Sequence, residues 1–139
     1  MGREDSRKGV VLIGLLLLYA ATSLLHFWHN AEYLSDYPNL PAWLTRAQVY
    51  LSWCGLTALG VLGYGLYRRA QARAGLVVLA VYGLLGFDGL LHYRRAPFAA
   101  HTLMMNFTIW AEVVAAALLL ACIARLLFAG RPPAHPGMA

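Results

Sequence analysis

The segment AGLVVLAVYGLLGFDGLLHY, residues 74–93, decides the fold of this chain. It is long enough to cross a membrane as a helix, for which about 20 mainly apolar residues suffice. Within it Asp88 and His92 are ionisable, and each such residue costs roughly 2.5 to 3.5 kcal/mol inside a bilayer. The segment therefore predicts a spanning helix that turns one polar face away from lipid and toward other helices.

Three further segments have the same apolar character, and they are Gly9–Asn30, Arg46–Tyr67 and Phe98–Phe128. The connections after the second and third spans are short, which forces neighbouring helices to run antiparallel. With 60% hydrophobic residues, 12% charged residues and a mean hydropathy of +0.58, the composition excludes a soluble enzyme. We predict an all-α integral membrane protein, with an up-down-up-down four-helix bundle at residues 1–130 and a flexible tail at residues 131–139.

The basic residues lie at the ends of the apolar spans, which is typical of membrane topology and argues against nucleic-acid binding. Of the 11 Lys and Arg residues, only Arg46, Arg94 and Arg95 fall at the end opposite the termini. The positive-inside bias then places both termini in the cytoplasm. We expect a multi-pass protein of the bacterial inner membrane, in contact with lipid and with membrane protein partners or further copies of itself. The chain has no phosphate-binding loop that would indicate a nucleotide.

Polar side chains recur at helical spacing in the first, third and fourth spans. Since a helix rises about 1.5 Å per residue, they fall in the half of the bundle away from the termini. Facing them to lipid would be costly, so we expect the polar stripes to converge inside the bundle. The stripes comprise His26, His29, Asn30 and Tyr33 in the first span, Asp88 and His92 in the third, and His101 and Glu112 in the fourth.

Imidazole and carboxylate groups are ligands for copper, iron and zinc, so this set predicts a metal site. The expected ligands are His26, His29, Asp88, His92 and His101, and the flanking residues are Asn30, Asn106 and Glu112. Glu112 lies about 16 Å below His101 on a continuous helix, too deep for ligation beside it unless that helix starts late or bends. It is therefore a candidate proton carrier.

Two alternatives to a metal site remain. One is a haem, with His26 and His92 from facing helices as axial ligands. The other is a metal-free cluster that is held by hydrogen bonds or relays protons.

Glycines recur every third residue in the third span, at Gly83, Gly86 and Gly89. Small residues let helices approach closely in a bilayer, where lipid offers no hydrophobic drive for association. We expect close helix contact along this stripe, or a flat cofactor that lies against it.

The chain resembles a group of small uncharacterised four-helix bacterial membrane proteins. The resemblance is carried by LHFWHN at residues 25–30, by Asp36-Tyr37-Pro38 and Ala42-Trp43-Leu44, by His92-Tyr93, and by Asn106 and Glu112. It covers most of the chain and supports the polar set as a unit, but it implies no activity.

A second resemblance is local. Asp88-x3-His92 followed by His101 is similar to the copper-ligand pattern in the membrane C subunit of particulate methane and ammonia monooxygenases. This resemblance implies copper, in preference to iron or zinc, with these three residues as ligands.

Three classes of function follow from the sequence. The leading one is a metal-binding membrane protein with a site open toward the periplasm, acting as a metal-dependent oxidoreductase or in metal handling. The second is a non-catalytic accessory subunit, or a module that binds haem, pigment or lipid. The third is a proton or solute pathway through Asp88, His92 and Glu112. The first connecting loop, Ala31–Leu44, supplies either aromatic membrane anchors or a lid over the site.

Overall fold

The computed structural model describes residues 3–128, with side chains from residue 7 onward. These residues are all-helical, and no strand occurs among them. The α-helices are α1 (Arg3–Glu32), α2 (Arg46–Arg68), α3 (Ala72–Leu85), α4 (His92–Arg95) and α5 (Leu103–Phe128). Short 3₁₀ segments lie at Leu34–Asp36, Asp88–Leu91 and Phe98–Ala100. The tail predicted at residues 131–139 lies outside the described residues.

Four helical spans have the length and composition to cross a membrane, as predicted, and they indicate a multi-pass membrane protein. Their bounds are Arg7–Glu32, Arg46–Arg68, Ala72–Arg95 and Leu103–Phe128. The second span is the most peripheral, because only 17% of its apolar stretch is buried inside the protein, against 33% to 39% for the others.

The third span is not one continuous α-helix. α3 ends at Leu85, and the 3₁₀ segment at Asp88–Leu91 leads into the single turn of α4. Residues three apart share a face in a 3₁₀ helix, so Asp88 and His92, four apart, do not. The prediction that Asp88 and His92 share one face of an α-helix is therefore wrong, although both side chains line the same cavity.

Gly86 marks the point at which α3 ends. A Cβ atom at this position would lie 2.6 Å from the Tyr19 ring and 2.7 Å from Ala116 Cβ. The expected close approach of helices is thus confirmed here, since α1 and α5 both reach the Gly86 backbone. A Cβ atom at Gly83 would lie 3.1 Å from Leu120 and one at Gly89 would lie 3.4 Å from Ile109, and Gly89 also lines a cavity.

The fourth helix begins later than predicted. A 3₁₀ turn at Phe98–Ala100 is followed by His101 in an extended conformation, and α5 starts only at Leu103. The turn is held by Asn106, whose Nδ2 donates to the carbonyl oxygen of His101 at 3.3 Å. His101 and Glu112 therefore do not share one helix, and the stripe expected between them is wrong.

The apolar core lies toward the ends of α1 and α5 that carry the chain termini. α1 packs mainly on α5, and α2 packs mainly on α3. The Tyr19 hydroxyl donates to the carbonyl oxygen of Tyr82 at 3.1 Å and so links α1 to α3. The buried aliphatic residues of this core are Leu12, Leu16, Leu76, Leu79, Ala115, Ala116, Leu119 and Ile123. This core anchors the helices that carry the polar residues at the opposite end.

The loop at residues 33–45 folds over that opposite end, which we call the loop end. Asn39 has a left-handed backbone with φ of 57°, and its Nδ2 donates to the carbonyl oxygen of Arg95 at 2.8 Å. Glu32 at the end of α1 pairs with Arg46 at the start of α2, at 2.5 Å. These contacts fix the loop against both α1 and α4.

Candidate functional site

Asn30 joins two of the predicted ligand residues. Its Nδ2 atom donates to Nε2 of His26 at 3.3 Å and to Nε2 of His92 at 3.1 Å. His26 lies one turn before Asn30 on α1, and His92 is the first residue of α4. The two imidazole rings are 5.6 Å apart between centroids and nearly perpendicular, at 78°. Both Nε2 atoms therefore present lone pairs to the same point.

Thr108 on α5 fixes the tautomer of His26. The Thr108 hydroxyl donates to the carbonyl oxygen of Met105 at 3.1 Å. Its oxygen is then left to accept from the Nδ1–H of His26, at 3.3 Å. With the proton on Nδ1, the Nε2 atom of His26 is an acceptor. Thr108 is fully buried and His26 is only 2% exposed, so bulk water does not compete for these bonds.

Glu112 reaches the same point from the next turn of α5. Its Oε2 atom lies 3.9 Å from His26 Nε2, and the residue is 1% exposed. Among the described residues, neither carboxyl oxygen of Glu112 has a hydrogen-bond partner within 3.5 Å. Glu112 lies beside His26, which itself lies one helical turn deeper on α1 than Asn30. We call the four residues His26, Asn30, His92 and Glu112 the polar cluster.

Gly89 forms one wall of the polar cluster. A Cβ atom at Gly89 would lie 3.5 Å from His26 Nε2 and 3.8 Å from Glu112 Oε2. Because glycine has no side chain, the third span can pass directly beside both polar atoms.

His101 stands beside the polar cluster. Its Nδ1–H donates to the carbonyl oxygen of Pro97 at 3.1 Å, so its Nε2 atom is an acceptor, and that atom is buried without a partner. The His101 ring lies 6.1 Å from the ring of His92. Because His92 Nε2 accepts from Asn30, the proton of His92 is on Nδ1, which also lacks a partner. The Nδ1–H of His92 is thus an unused donor, and the Nε2 atom of His101 is an unused acceptor.

His29 is separate from the polar cluster. Its ring stacks on that of Tyr33 at 4.7 Å, and its Nδ1 atom hydrogen-bonds the Tyr37 hydroxyl at 2.8 Å. Tyr37 is itself 3% exposed, and its ring lies 4.9 Å from that of His92. Burial raises the pKa of Tyr37 to about 12. The loop therefore inserts a neutral aromatic side chain at the loop end of the cluster.

Asp88 and Asn106 lie at the edges of the site. Asp88 is half-buried and lines a cavity together with His26 and His92, and its Oδ1 atom has no hydrogen-bond partner. Asn106 accepts from the Tyr93 hydroxyl at 2.8 Å. This bond joins Asn106 to Tyr93, and the amide nitrogen of Asn106 supports the turn that carries His101.

Thr108 was not identified from the sequence, and Tyr37 was included only as part of the Ala31–Leu44 loop expected to supply membrane anchors or a lid. Thr108 precedes Glu112 by four residues, so both face the same side of α5. That spacing is a signal that identifies Thr108 once Glu112 is taken as a site residue. Tyr37 lies in an irregular loop, where no periodicity indicates which aromatic side chain turns inward.

Within residues 3–128 no group of three or more His, Cys, Asp or Glu side chains is arranged to hold a metal ion as it stands. The polar cluster instead has two imidazoles on one amide, with a carboxyl group just beyond contact distance. Comparison of the chain with known proteins found no matching family model, curated protein or solved structure. The two resemblances described above therefore stay expectations.

Proposed function

We propose that the polar cluster binds one transition metal ion between the Nε2 atoms of His26 and His92, with Glu112 as a third ligand. The observation that carries this proposal is the convergence of both lone pairs on the Asn30 amide nitrogen, at 3.3 and 3.1 Å. A cation in the place of that amide group would take both lone pairs once the Asn30 side chain rotates away. Neutral imidazole and carboxylate are ordinary ligands of copper, iron and zinc.

The surroundings of His26 support the same proposal. Metal-ligating histidines usually donate their second ring N–H to an oxygen atom, as His26 does to Thr108. With metal–ligand bonds of about 2.0 to 2.2 Å, two ligands of a tetrahedral ion lie roughly 3.3 to 3.6 Å apart. The distance from His26 Nε2 to Glu112 Oε2 is 3.9 Å, so a small movement of the carboxyl group completes the site.

Copper is the first ion to test, because the local resemblance implies it, and iron and zinc follow. When bound, such an ion supplies redox chemistry or Lewis-acid chemistry at a site shielded from water. His26 and His92 serve a single ion better than a haem. A single ion needs only the Asn30 side chain to rotate away and a small movement of Glu112, whereas a porphyrin plane between the rings would displace the buried residues packed around His26, which include Thr108 and Glu112.

The test is elemental analysis of protein purified in mild detergent without chelators, loaded with Cu(II), Fe(II) or Zn(II) and then dialysed. We expect about one ion per chain in the wild type, and loss of that ion in His26→Ala and His92→Ala. His29→Ala is the matched control, since His29 lies on the same helix but points to Tyr37. Absence of metal from the wild type, or equal loss in His29→Ala, would overturn the proposal.

A second candidate function is a metal-free cluster that accepts and releases a proton. It is favoured by the separation of 3.9 Å between His26 Nε2 and Glu112 Oε2, because an added proton and a movement of roughly 1 Å would convert that pair into a charge-assisted hydrogen bond. Infrared difference spectra across a pH titration would show a carboxyl band that disappears in Glu112→Gln. This result without bound metal would select the second candidate.

The arrangement of the chain in the membrane is part of the proposal. We propose an up-down-up-down bundle in a bacterial inner membrane, with both termini in the cytoplasm and the loop end toward the periplasm. The support is the distribution of basic residues, of which only Arg46, Arg94 and Arg95 lie at the loop end. The polar cluster would then lie in the outer half of the membrane, available to redox partners or to metals on that side.

A further inference from the structure

A cavity of about 500 Å³ lies between α1, α2 and the third span. One part of its wall is apolar and is formed by Phe27, Leu44, Val49 and Leu56. The other part is polar and is formed by His26, Asn30, Asp88 and His92. The volume is in the range of pockets that bind small molecules, which are mostly apolar with a few placed polar groups.

The rim of the cavity faces the region that lipid would occupy. Ser52 and Gly55 on α2 line the cavity and are exposed, as are Leu91 and Arg95 on the third span. Ser52 and Gly55 lie roughly 9 and 13 to 14 Å along α2 from Arg46, at the start of that helix. Since each leaflet contributes about 15 Å of hydrocarbon, the opening extends into the apolar depth of the bilayer.

The direct path from the aqueous side is covered by the loop. Tyr37 is buried above the cluster, and Asn39 is bonded to the backbone of Arg95 at 2.8 Å. Leu40 and Leu44 of the same loop line the cavity at this end. A molecule that reaches His92 without moving the loop therefore comes sideways, between α2 and the third span.

The polar end of the cavity selects the head group of such a molecule. Asp88 Oδ1 is an acceptor without a donor, and His92 Nδ1 is a donor without an acceptor. Both residues line the cavity, and a hydroxyl group matches either atom, because it can donate to the Asp88 acceptor and can accept from the His92 donor. An anionic head group is opposed by Asp88, and by Glu112 behind His26. An ammonium head group has no acceptor for the Nδ1–H of His92, and Arg95 at the rim opposes it.

We propose that this cavity binds an uncharged amphiphile, a long-chain alcohol, which enters from the lipid with its hydroxyl group toward Asp88 and His92 and its chain along α2. The inference goes beyond the metal proposal and does not rest on it. The cavity exists with Asn30 bonded to both histidines, as in the metal-free protein.

The test is equilibrium binding of radiolabelled 1-dodecanol to metal-free, detergent-solubilised protein, measured by scintillation proximity. Unlabelled 1-dodecanol should displace the label, and dodecane, dodecanoate and dodecylammonium should each compete at least about tenfold less well. Displacement by dodecane at the same concentration as by the alcohol would overturn the hydroxyl assignment. Preferential displacement by dodecanoate or dodecylammonium would overturn it as well.

Two matched glycine variants locate the binding site. A Cβ atom at Gly55 or at Gly65 meets nothing within 4 Å, so the first side-chain carbon of Gly55→Leu or Gly65→Leu causes no clash, but of the two positions only Gly55 lines the cavity. We expect Gly55→Leu to weaken dodecanol binding about tenfold or more, and Gly65→Leu to leave it unchanged. Equal binding by both variants would overturn the proposed cavity. Because the protein is metal-free in this assay, failure of the metal proposal leaves the result intact.

Discussion

The Nδ1 atom of His26 lies 3.3 Å from the Thr108 hydroxyl oxygen, so a residue on α5 sets the orientation of a histidine on α1. The bond is buried, and it turns the Nε2 lone pair of His26 toward the polar cluster. The two helices that carry His26 and Glu112 are thus joined at the site itself, and not only through the apolar core.

Thr108→Val keeps the shape of the side chain but removes the acceptor for His26 Nδ1–H. Loss of a group that orients a metal ligand typically lowers metal affinity about 10- to 100-fold, and we expect a loss in that range for copper binding by titration. Thr22→Val is the control, because the Thr22 hydroxyl bonds only to the backbone of its own helix. Similar affinities for the two variants would show that Thr108 does not orient His26.

Tyr37→Phe removes the hydroxyl group that bonds His29 at 2.8 Å. Because His29 Nδ1 is then buried without that partner, the free energy of unfolding should fall by about 1 to 3 kcal/mol. The measurement is denaturant unfolding of the detergent-solubilised protein. Tyr33→Phe at an exposed ring should change it by less than about 0.5 kcal/mol. The prediction fails if the two variants are equally stable.

Tyr37 also gives a defined dependence of stability on pH. Burial raises its pKa from the ordinary 10.0 to about 12, so the folded state favours the neutral phenol. The contribution of this group to stability is then complete below pH 10 and is lost as the pH rises toward 12. Thermal unfolding of wild type and Tyr37→Phe should show a difference that changes only in this window. A difference that instead grows below pH 8 would contradict the assignment.

Gly86→Ala should destabilise the bundle, because the added methyl group would lie 2.6 Å from the Tyr19 ring and 2.7 Å from Ala116. Overpacking of this kind costs about 1 to 3 kcal/mol. In Gly65→Ala the methyl group meets nothing within 4 Å, and the better helix propensity of alanine gives a gain of up to about 1 kcal/mol. The two variants should therefore shift the unfolding midpoint in opposite directions, and a shared direction would contradict the packing at Gly86.

The proposed orientation is tested with single cysteines in a chain whose Cys54 and Cys122 are replaced by alanine. Ser35→Cys lies in the exposed loop and Gln71→Cys in the exposed turn before α3. A membrane-impermeant maleimide should label Ser35→Cys in intact spheroplasts and Gln71→Cys only after lysis. The reverse pattern would place the loop end in the cytoplasm.

The four spans could be predicted from the sequence because length and apolar composition alone decide whether a helix can cross a membrane. The ends of the spans could not, since they depend on contacts between distant residues. α3 ends at Leu85, and the Tyr19 ring and Ala116 lie close to the backbone of the next residue, Gly86. The local sequence around residue 86 carries no information about where α1 lies.

The sequence predicted only part of the polar cluster. His26, Asn30 and His92 meet as the polar stripes indicate, because a bilayer forces polar side chains to face one another. His29 follows the same spacing but turns to Tyr37. That choice depends on the loop at residues 33–45, whose conformation helical periodicity does not describe.

The break in the third span separates α3 from α4, and different contacts hold the two helices. α3 is held by Tyr19 and the apolar core, whereas His92 on α4 is held by Asn30 and, through Arg95, by Asn39 of the loop. Substitutions on the α3 side of that core should therefore affect His92 less than substitutions at Asn30 or Asn39. The same separation allows local opening of the segment in two steps, because α4 can lose its contacts with the loop while α3 keeps its packing.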